Sequence, residues 1–221
     1  MIGILFLQFI FPSHLMKIIL KNIGKQYKED WVFRNVNFEF LPDQTYVILG
    51  SNGSGKSTLI NVISSHIIPT KGNIYYSLNL KEVKQDDVFR HIAICSPYIE
   101  LIEEFTLVEN VSFFCRFKKF LDNITLEEFI DITNLHGFEY KPIHQLSSGT
   151  KQRLKIALAI LPDVSAIFLD EPCTNLDSEG IKWYNNLVNK YINNRLIIVC
   201  SNDKKYEFDF CNNELHLSNF K

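Results

Sequence analysis

The 221 residues, 46% hydrophobic and 22% charged, supply core material for one large α/β domain or two small ones and exclude a disordered chain. With 23 Lys and Arg against 25 Asp and Glu, the formal charge of −2 gives no global reason to expect a nucleic-acid partner. The five cysteines, Cys95, Cys115, Cys173, Cys200 and Cys211, form no C-x-x-C pair and lie in or beside apolar segments. They are expected to be small core residues in a reducing compartment.

Taken in order, Met1 to Phe11 is apolar apart from Gln8, too short to span a bilayer, and without the basic start and cleavage site of a secretory signal. Met16-Lys17-Ile18-Ile19-Leu20 begins the first credible strand. Translation is therefore expected to start at Met16, with residues 1–15 an extension outside a single domain over 16–221; a membrane-touching arm is the alternative. A polar stretch from Lys25 to Asp30 reads as a turn, and Val36 to Phe40 alternates with the period of a half-buried antiparallel strand. Pro42-Asp43 turns the chain into Thr45-Tyr46-Val47-Ile48-Leu49, a β-branched, apolar run typical of a buried parallel strand.

Next comes Gly50-Ser51-Asn52-Gly53-Ser54-Gly55-Lys56-Ser57-Thr58, which has the form G-x-x-x-x-G-K-[ST], and then apolar residues at helical spacing from Leu59 to Ile63. Strand, glycine loop and helix stand in the order that phosphate binding requires. Backbone N–H groups of the loop and the helix N-terminus converge on an anion, and Gly53 and Gly55 leave room for its approach. Lys56 can bridge terminal phosphates, and the Ser57 hydroxyl can ligand Mg²⁺. The implied ligand is a nucleoside triphosphate.

Residues 69–73 read as a turn, and Ile74-Tyr75-Tyr76 and Ile92 to Cys95 as strands. From about 97 to 160 the chain becomes helical, with apolar spacing over Val108 to Phe120 and Leu126 to Leu135. Phe113, Phe114, Phe117, Phe120 and Phe129 are expected to fill the core of this insert. Gln145 to Arg153 opens a helix that Pro162 ends. Ala166-Ile167-Phe168-Leu169 is a buried strand closing on Asp170 and Glu171. At the carboxyl end of a parallel strand Asp170 can share the Mg²⁺ shell with Ser57, and Glu171, one residue further on, can polarise a water. A helix over Glu179 to Ile192 and strands over Leu196 to Cys200 and Glu214 to Leu217 complete the chain.

Two further motifs make a family resemblance plain. Leu146-Ser147-Ser148-Gly149-Thr150, then Lys151-Gln152-Arg153, resembles the L-S-G-G-Q signature of ATP-binding cassette (ABC) ATPases. Asp170-Glu171-Pro172 with Leu176-Asp177 resembles that family's magnesium-binding strand and D-loop, and Thr106 to Asn110 the start of its helical subdomain. The resemblance covers the chain from about Met16 to the tail. It implies an α/β fold, a P-loop NTPase core with an antiparallel β subdomain and an inserted α-helical subdomain. The implied cofactors are ATP and Mg²⁺. Tyr27 is similar in position to the family's adenine-stacking aromatic, with Trp31 near enough to compete. In the family two domains pair head to tail, so Ser147, Ser148 and Gly149 would meet the ATP held by a partner's phosphate loop; taken alone, the segment is a helix cap.

The chain departs from the family pattern at four points. Ser148 replaces the signature's second glycine, and Thr150 its glutamine. No glutamine follows Cys95-Ser96-Pro97-Tyr98, and Ser201-Asn202-Asp203 stands where a γ-phosphate-sensing histidine is usual, making Asn202 its equivalent. The resemblance implies the hydrolysing subunit of an ABC transporter, peripheral on the cytoplasmic face of the inner (plasma) membrane, with a second nucleotide-binding domain and a separate integral membrane permease as partners. The alternatives are a non-transport ABC ATPase or an ATP-dependent dimerising module. The interval from Thr58 to Leu146 is too short for an intervening coiled coil, and the single phosphate loop argues against a two-cassette factor.

Overall fold

The computed structural model describes residues 15–192 and 194–221; the expectations for residues 1–14 lie outside them. Leu15 and Asn79 exchange hydrogen bonds, Leu15 N–H to Asn79 Oδ1 at 3.3 Å and Asn79 N–H to Leu15 O at 3.0 Å. Strands β1 (Met16–Tyr27) and β2 (Asp30–Phe40) form an antiparallel hairpin whose register closes at Tyr27 opposite Asp30. The polar stretch from Lys25 is therefore the hairpin's tip and not a break between short strands. A strand persists where cross-strand partners exist, even with both faces wet. The sequence then lays down β3 (Thr45–Leu49), helix α1 (Lys56–Ile63), β4 (Lys71–Leu78), β5 (Lys81–Val83) and β6 (Ile92–Cys95). Lys71 to Asn73, expected in a turn, already belong to β4.

Helices α2 (Leu107–Cys115) and α3 (Leu126–Thr133) follow, then α4 (Ser148–Ile160), β7 (Ala166–Asp170), α5 (Ser178–Tyr191), β8 (Leu196–Ser201) and β9 (Asn213–His216). Two sheets result. One is antiparallel, in the order β2-β1-β4-β5, and the other parallel, in the order β6-β7-β8-β3-β9.

The central parallel strands are buried on both faces, and their alternation sorts side chains into two cores. Phe168, Ile198, Cys200 and Ile48 pack with Leu59, Ile60 and Ile63 of α1 and with Ile18, Leu20 and Phe33 of the hairpin. Ile167, Leu169, Ile197, Val199 and Val47 pack on the opposite face with Leu154, Ala157 and Leu158 of α4. Helix α1 is thus packed between the two sheets, with the phosphate loop at its start.

The two short helices α2 and α3 each open on a capping box, Thr106 with Glu109 and Thr125 with Glu128. Phe129 is fully buried and stacks on Phe120 at 5.1 Å. The expected insert core is only partly realised. Helix α2 stops at Cys115, and Phe120 forms a β-bridge with Pro162. Phe113 is 42% and Phe117 69% exposed, with rings edge-on at 5.2 Å, and Cys115 is exposed. The inward stripe of so short a helix is narrow: Leu107, Asn110 and Val111 fill it, Phe114 packs partly buried at its edge, 6.5 Å from the Phe120 ring, and Phe113 and Phe117 stay outside. Cys95, Cys173 and Cys200 are buried as expected. Replacing Thr125 by Ala removes the acceptor of the Glu128 N–H, a 3.2 Å bond, and is expected to cost about 1 kcal/mol in chemical denaturation. An unchanged midpoint would show that tertiary packing alone sets the start of α3.

Candidate nucleotide-binding site

The phosphate loop lies between β3 and α1, and two of its glycines have left-handed backbones, Gly53 at φ 74° and Gly55 at φ 100°. At Gly55 a Cβ would lie 2.4 Å from Val32 Cγ1, because β2 presses on the loop. Alanine there is excluded by both angle and space. Helix α1 has no side-chain cap and no acidic residue in its first turn, so its N-terminal donors and partial positive charge remain available to an anion. Lys56 is buried, and its ammonium donates to Gly50 O at 2.7 Å and Ser51 O at 3.2 Å, folded across the loop it serves.

Asp170 ends β7 at 1% exposure. Burial pushes its carboxyl above the usual range, opposed by hydrogen bonds from Ser57 and Ser96 and by the charge of Lys56. Ser96 Oγ donates to Oδ2 at 3.5 Å, while Oδ1 is buried with no hydrogen-bond partner. A buried carboxylate oxygen without a donor, on a group already bonded to the Ser57 hydroxyl, fits a hard divalent cation such as Mg²⁺. Glu171, next in sequence, has φ 47° and donates its N–H to Cys200 O at 2.9 Å, so the backbone turns sharply out of the sheet there.

These elements enclose a cleft of about 480 Å³ lined by Tyr27, Val32, residues 52–58, Tyr98 and Glu171. That volume suits a nucleotide. Tyr27, at the hairpin tip, belongs to the lining; the competing Trp31 packs over Gly24, where a Cβ would meet its ring at 2.8 Å. Asn202 is half-buried and follows the last residue of β8. The β8 register, Asp170 opposite Cys200 and Leu49 opposite Ser201, sets Asn202 just beyond the points where β7 and β3 leave the sheet.

Ser147, Ser148 and Gly149 are elsewhere on the chain. Ser147 caps α4, its Oγ accepting from Thr150 N–H at 3.2 Å and lying 2.8 Å from Thr150 Oγ1. A Cβ on Gly149 would lie 3.1 Å from Asn175 O. These residues line a second cleft, of about 420 Å³, with Asn175 and Asp177. The signature is thus both a cap and a separate concave surface. Val32, one strand residue among many, has no signal in the sequence. Ser96 and Tyr98 lie in the segment where the family's glutamine is missing, but nothing there singles out either side chain; Ser96 follows β6, the neighbour of the strand that ends on Asp170.

A parallel sheet feeding a phosphate loop, with a buried acid opposite it and an antiparallel hairpin over it, defines a nucleoside-triphosphate-binding protein of the phosphate-loop class. Residues 33–174 match the ABC transporter family, and the chain belongs to that family as an ABC ATPase, a nucleotide-binding subunit. It is similar to the ABC transporter ATP-binding protein YcbN of Bacillus subtilis (strain 168), 34% identical over 160 residues that make up 72% of this chain and 52% of YcbN. The chain thus matches about half the length of that relative. YybJ of the same organism, also an ABC transporter ATP-binding protein, is 27% identical over 199 residues, 89% of this chain and 90% of YybJ. Among solved structures, the dimeric structure of MJ0796, a bacterial ABC transporter cassette, superposes with a TM-score of 0.75 at 25% identity, covering 90% of this chain and 94% of that one. Family and relatives favour the transporter reading over the non-transport alternatives.

Proposed function

We propose that the chain binds Mg²⁺-ATP in the cleft between the hairpin tip and the phosphate loop, pairs head to tail with a second cassette, and hydrolyses ATP to drive a membrane permease on another polypeptide. One observation carries this reading: phosphate loop and signature line two separate open clefts on the same chain, so neither alone encloses a triphosphate. A second cassette turned head to tail closes each cleft with the other. The loop N–H groups and Lys56 then hold the β- and γ-phosphates, and Tyr27 offers a ring face to the base. Ser57 and Asp170 would hold Mg²⁺, which would supply charge neutralisation at the phosphates. Glu171 orients the attacking water, and Asn202 donates to a γ-phosphate oxygen. From the partner, Ser147 and the backbone of Gly149 contact the same phosphate from a helix N-terminus.

The permease contact is assigned to residues 96–105 and the neighbouring apolar surface. Tyr98 is 77% exposed, and Ile99 and Phe117 border a cleft of about 660 Å³ beside the edge strand β6. Exposed apolar patches of this kind mark contacts. No helix among the described residues is long and apolar enough to cross a membrane; in this reading the permease is another polypeptide. Fractionation of native cells tests the assignment: the protein is expected with the membranes and released by detergent together with an integral membrane partner. A protein found wholly in the soluble fraction would overturn it.

A further inference from the structure

Beyond Ser201 the chain carries a deeply buried acid that the chemistry above does not use. Glu207, in the 3-10 turn Lys205–Glu207, is 0% exposed. Its Oε2 accepts from Ser201 Oγ, and the backbone N–H of Cys173 faces the same carboxylate and favours its charged form. Oε1 has no hydrogen-bond partner, and Lys204 Nζ is 3.9 Å from it. Ser201 Oγ in turn accepts from Lys204 N–H at 3.3 Å, closing the turn that contains Asn202 and Asp203. The Glu207 backbone is fixed as well, its N–H donating to Lys204 O at 2.8 Å and its carbonyl accepting from Tyr184 Oη at 2.8 Å.

A buried carboxylate is costly, and apolar side chains of the same shape usually serve the fold at least as well. What this one joins is specific. Cys173 lies two residues after Glu171, in the loop that leads to Asn175 and Asp177; Ser201 immediately precedes Asn202. The Glu171 N–H to Cys200 O bond connects β7 and β8 just before these two loops separate. Past that point Glu207 reaches both.

We infer that Glu207 is a positioning residue for ATP hydrolysis, its buried carboxylate bridging Cys173 and Ser201 so that Glu171 and Asn202 are held at one fixed separation on the γ-phosphate side. The inference rests on the proposed roles of Glu171 and Asn202. A carboxylate suits the task because it accepts from two donors at once and donates to neither. Small displacements of a water-orienting or phosphate-contacting group are costly in rate, although the displaced side chains remain present.

The test is a double-mutant cycle on the full chain with Mg-ATP. Ser201→Ala removes the bridge on the sensor side and leaves packing almost unchanged. It is expected to lower kcat about tenfold while KM stays within about twofold, because ground-state binding rests on the phosphate loop. In an Asn202→Ala background, Ser201→Ala should have no further effect, since the group it positions is gone. Glu207→Met keeps the length, removes both acceptor oxygens and should lower kcat at least as far as Ser201→Ala; if that variant fails to fold, the serine cycle still decides. Wild-type kcat in Ser201→Ala beside an impaired Asn202→Ala would overturn the bridge alone. So would a full multiplicative loss in the double variant, the mark of a structural role. Wild-type turnover in Asn202→Ala would instead remove the sensor reading on which the bridge rests.

Discussion

Glu171→Gln is expected to bring Mg-ATP hydrolysis to background while leaving ATP binding intact. The substitution preserves shape and removes only the charge that polarises the water. The binding elements, from Asn52 to Thr58 with Tyr27 and Val32, make up most of the cleft lining and are not altered by the substitution. With hydrolysis blocked, the ATP that bridges two copies persists, so the variant should accumulate as a dimer in size-exclusion chromatography with Mg-ATP and dissociate when nucleotide is removed. Lys56→Ala should fail at the earlier step. Its buried ammonium makes two bonds to the loop's own carbonyls at 2.7 and 3.2 Å, so its loss removes both a phosphate ligand and a brace of the loop. The two variants therefore separate binding from chemistry: fluorescent-nucleotide titration should register tight binding in the first and weak binding in the second. Turnover unchanged in Glu171→Gln would remove that residue as the water-orienting base, whatever Lys56→Ala shows.

Much of this architecture was legible because its parts are local. A strand–glycine loop–helix unit and a strand ending on two carboxylates are each written in a contiguous stretch, and each forms where its residues stand. The hairpin was half legible. Alternation marked Val36 to Phe40, but the outer part of β1, Lys25-Gln26-Tyr27, has no apolar alternation, and only its pairing with Phe33, Trp31 and Asp30 of β2 makes it a strand. The aromatic insert misled for a related reason. Helical spacing says that residues can share a face, not which face will be covered, so Phe113 and Phe117 fit the pattern and remain outside. The least legible features were pairings across the sheet. Ser96 on Asp170 and Glu207 on Ser201 join residues through the strand order β6-β7-β8 or through a turn, and neither pair has a spacing that a sequence motif could register.

Asn202→Ala is expected to lower the rate at saturating Mg-ATP by about one to two powers of ten. That corresponds to one hydrogen bond to a charged group, roughly 1.5–3 kcal/mol, if the bond is made fully only as charge develops on the γ-phosphate. The surroundings favour a fixed amide over a loose turn: Ser201 before it is fully buried, and Asp203 after it takes φ 61°, so the backbone at Asn202 is constrained on both sides. An amide donates as an imidazole N–H does but does not titrate near neutrality. The wild-type rate should therefore show no step at this site near the unperturbed imidazole value of about 6.5. Asn202→His should retain activity and introduce that step. Its sign follows from the chemistry: the imidazolium is the stronger donor to an anion, so the rate falls as pH rises through the new group's pKa. A turn without a sensor makes the opposite prediction. Asn202→Ala would then keep wild-type turnover from acid to alkaline pH, and Asn202→His would add no step, leaving Lys56, Ser147 and the loop N–H groups as the γ-phosphate's contacts.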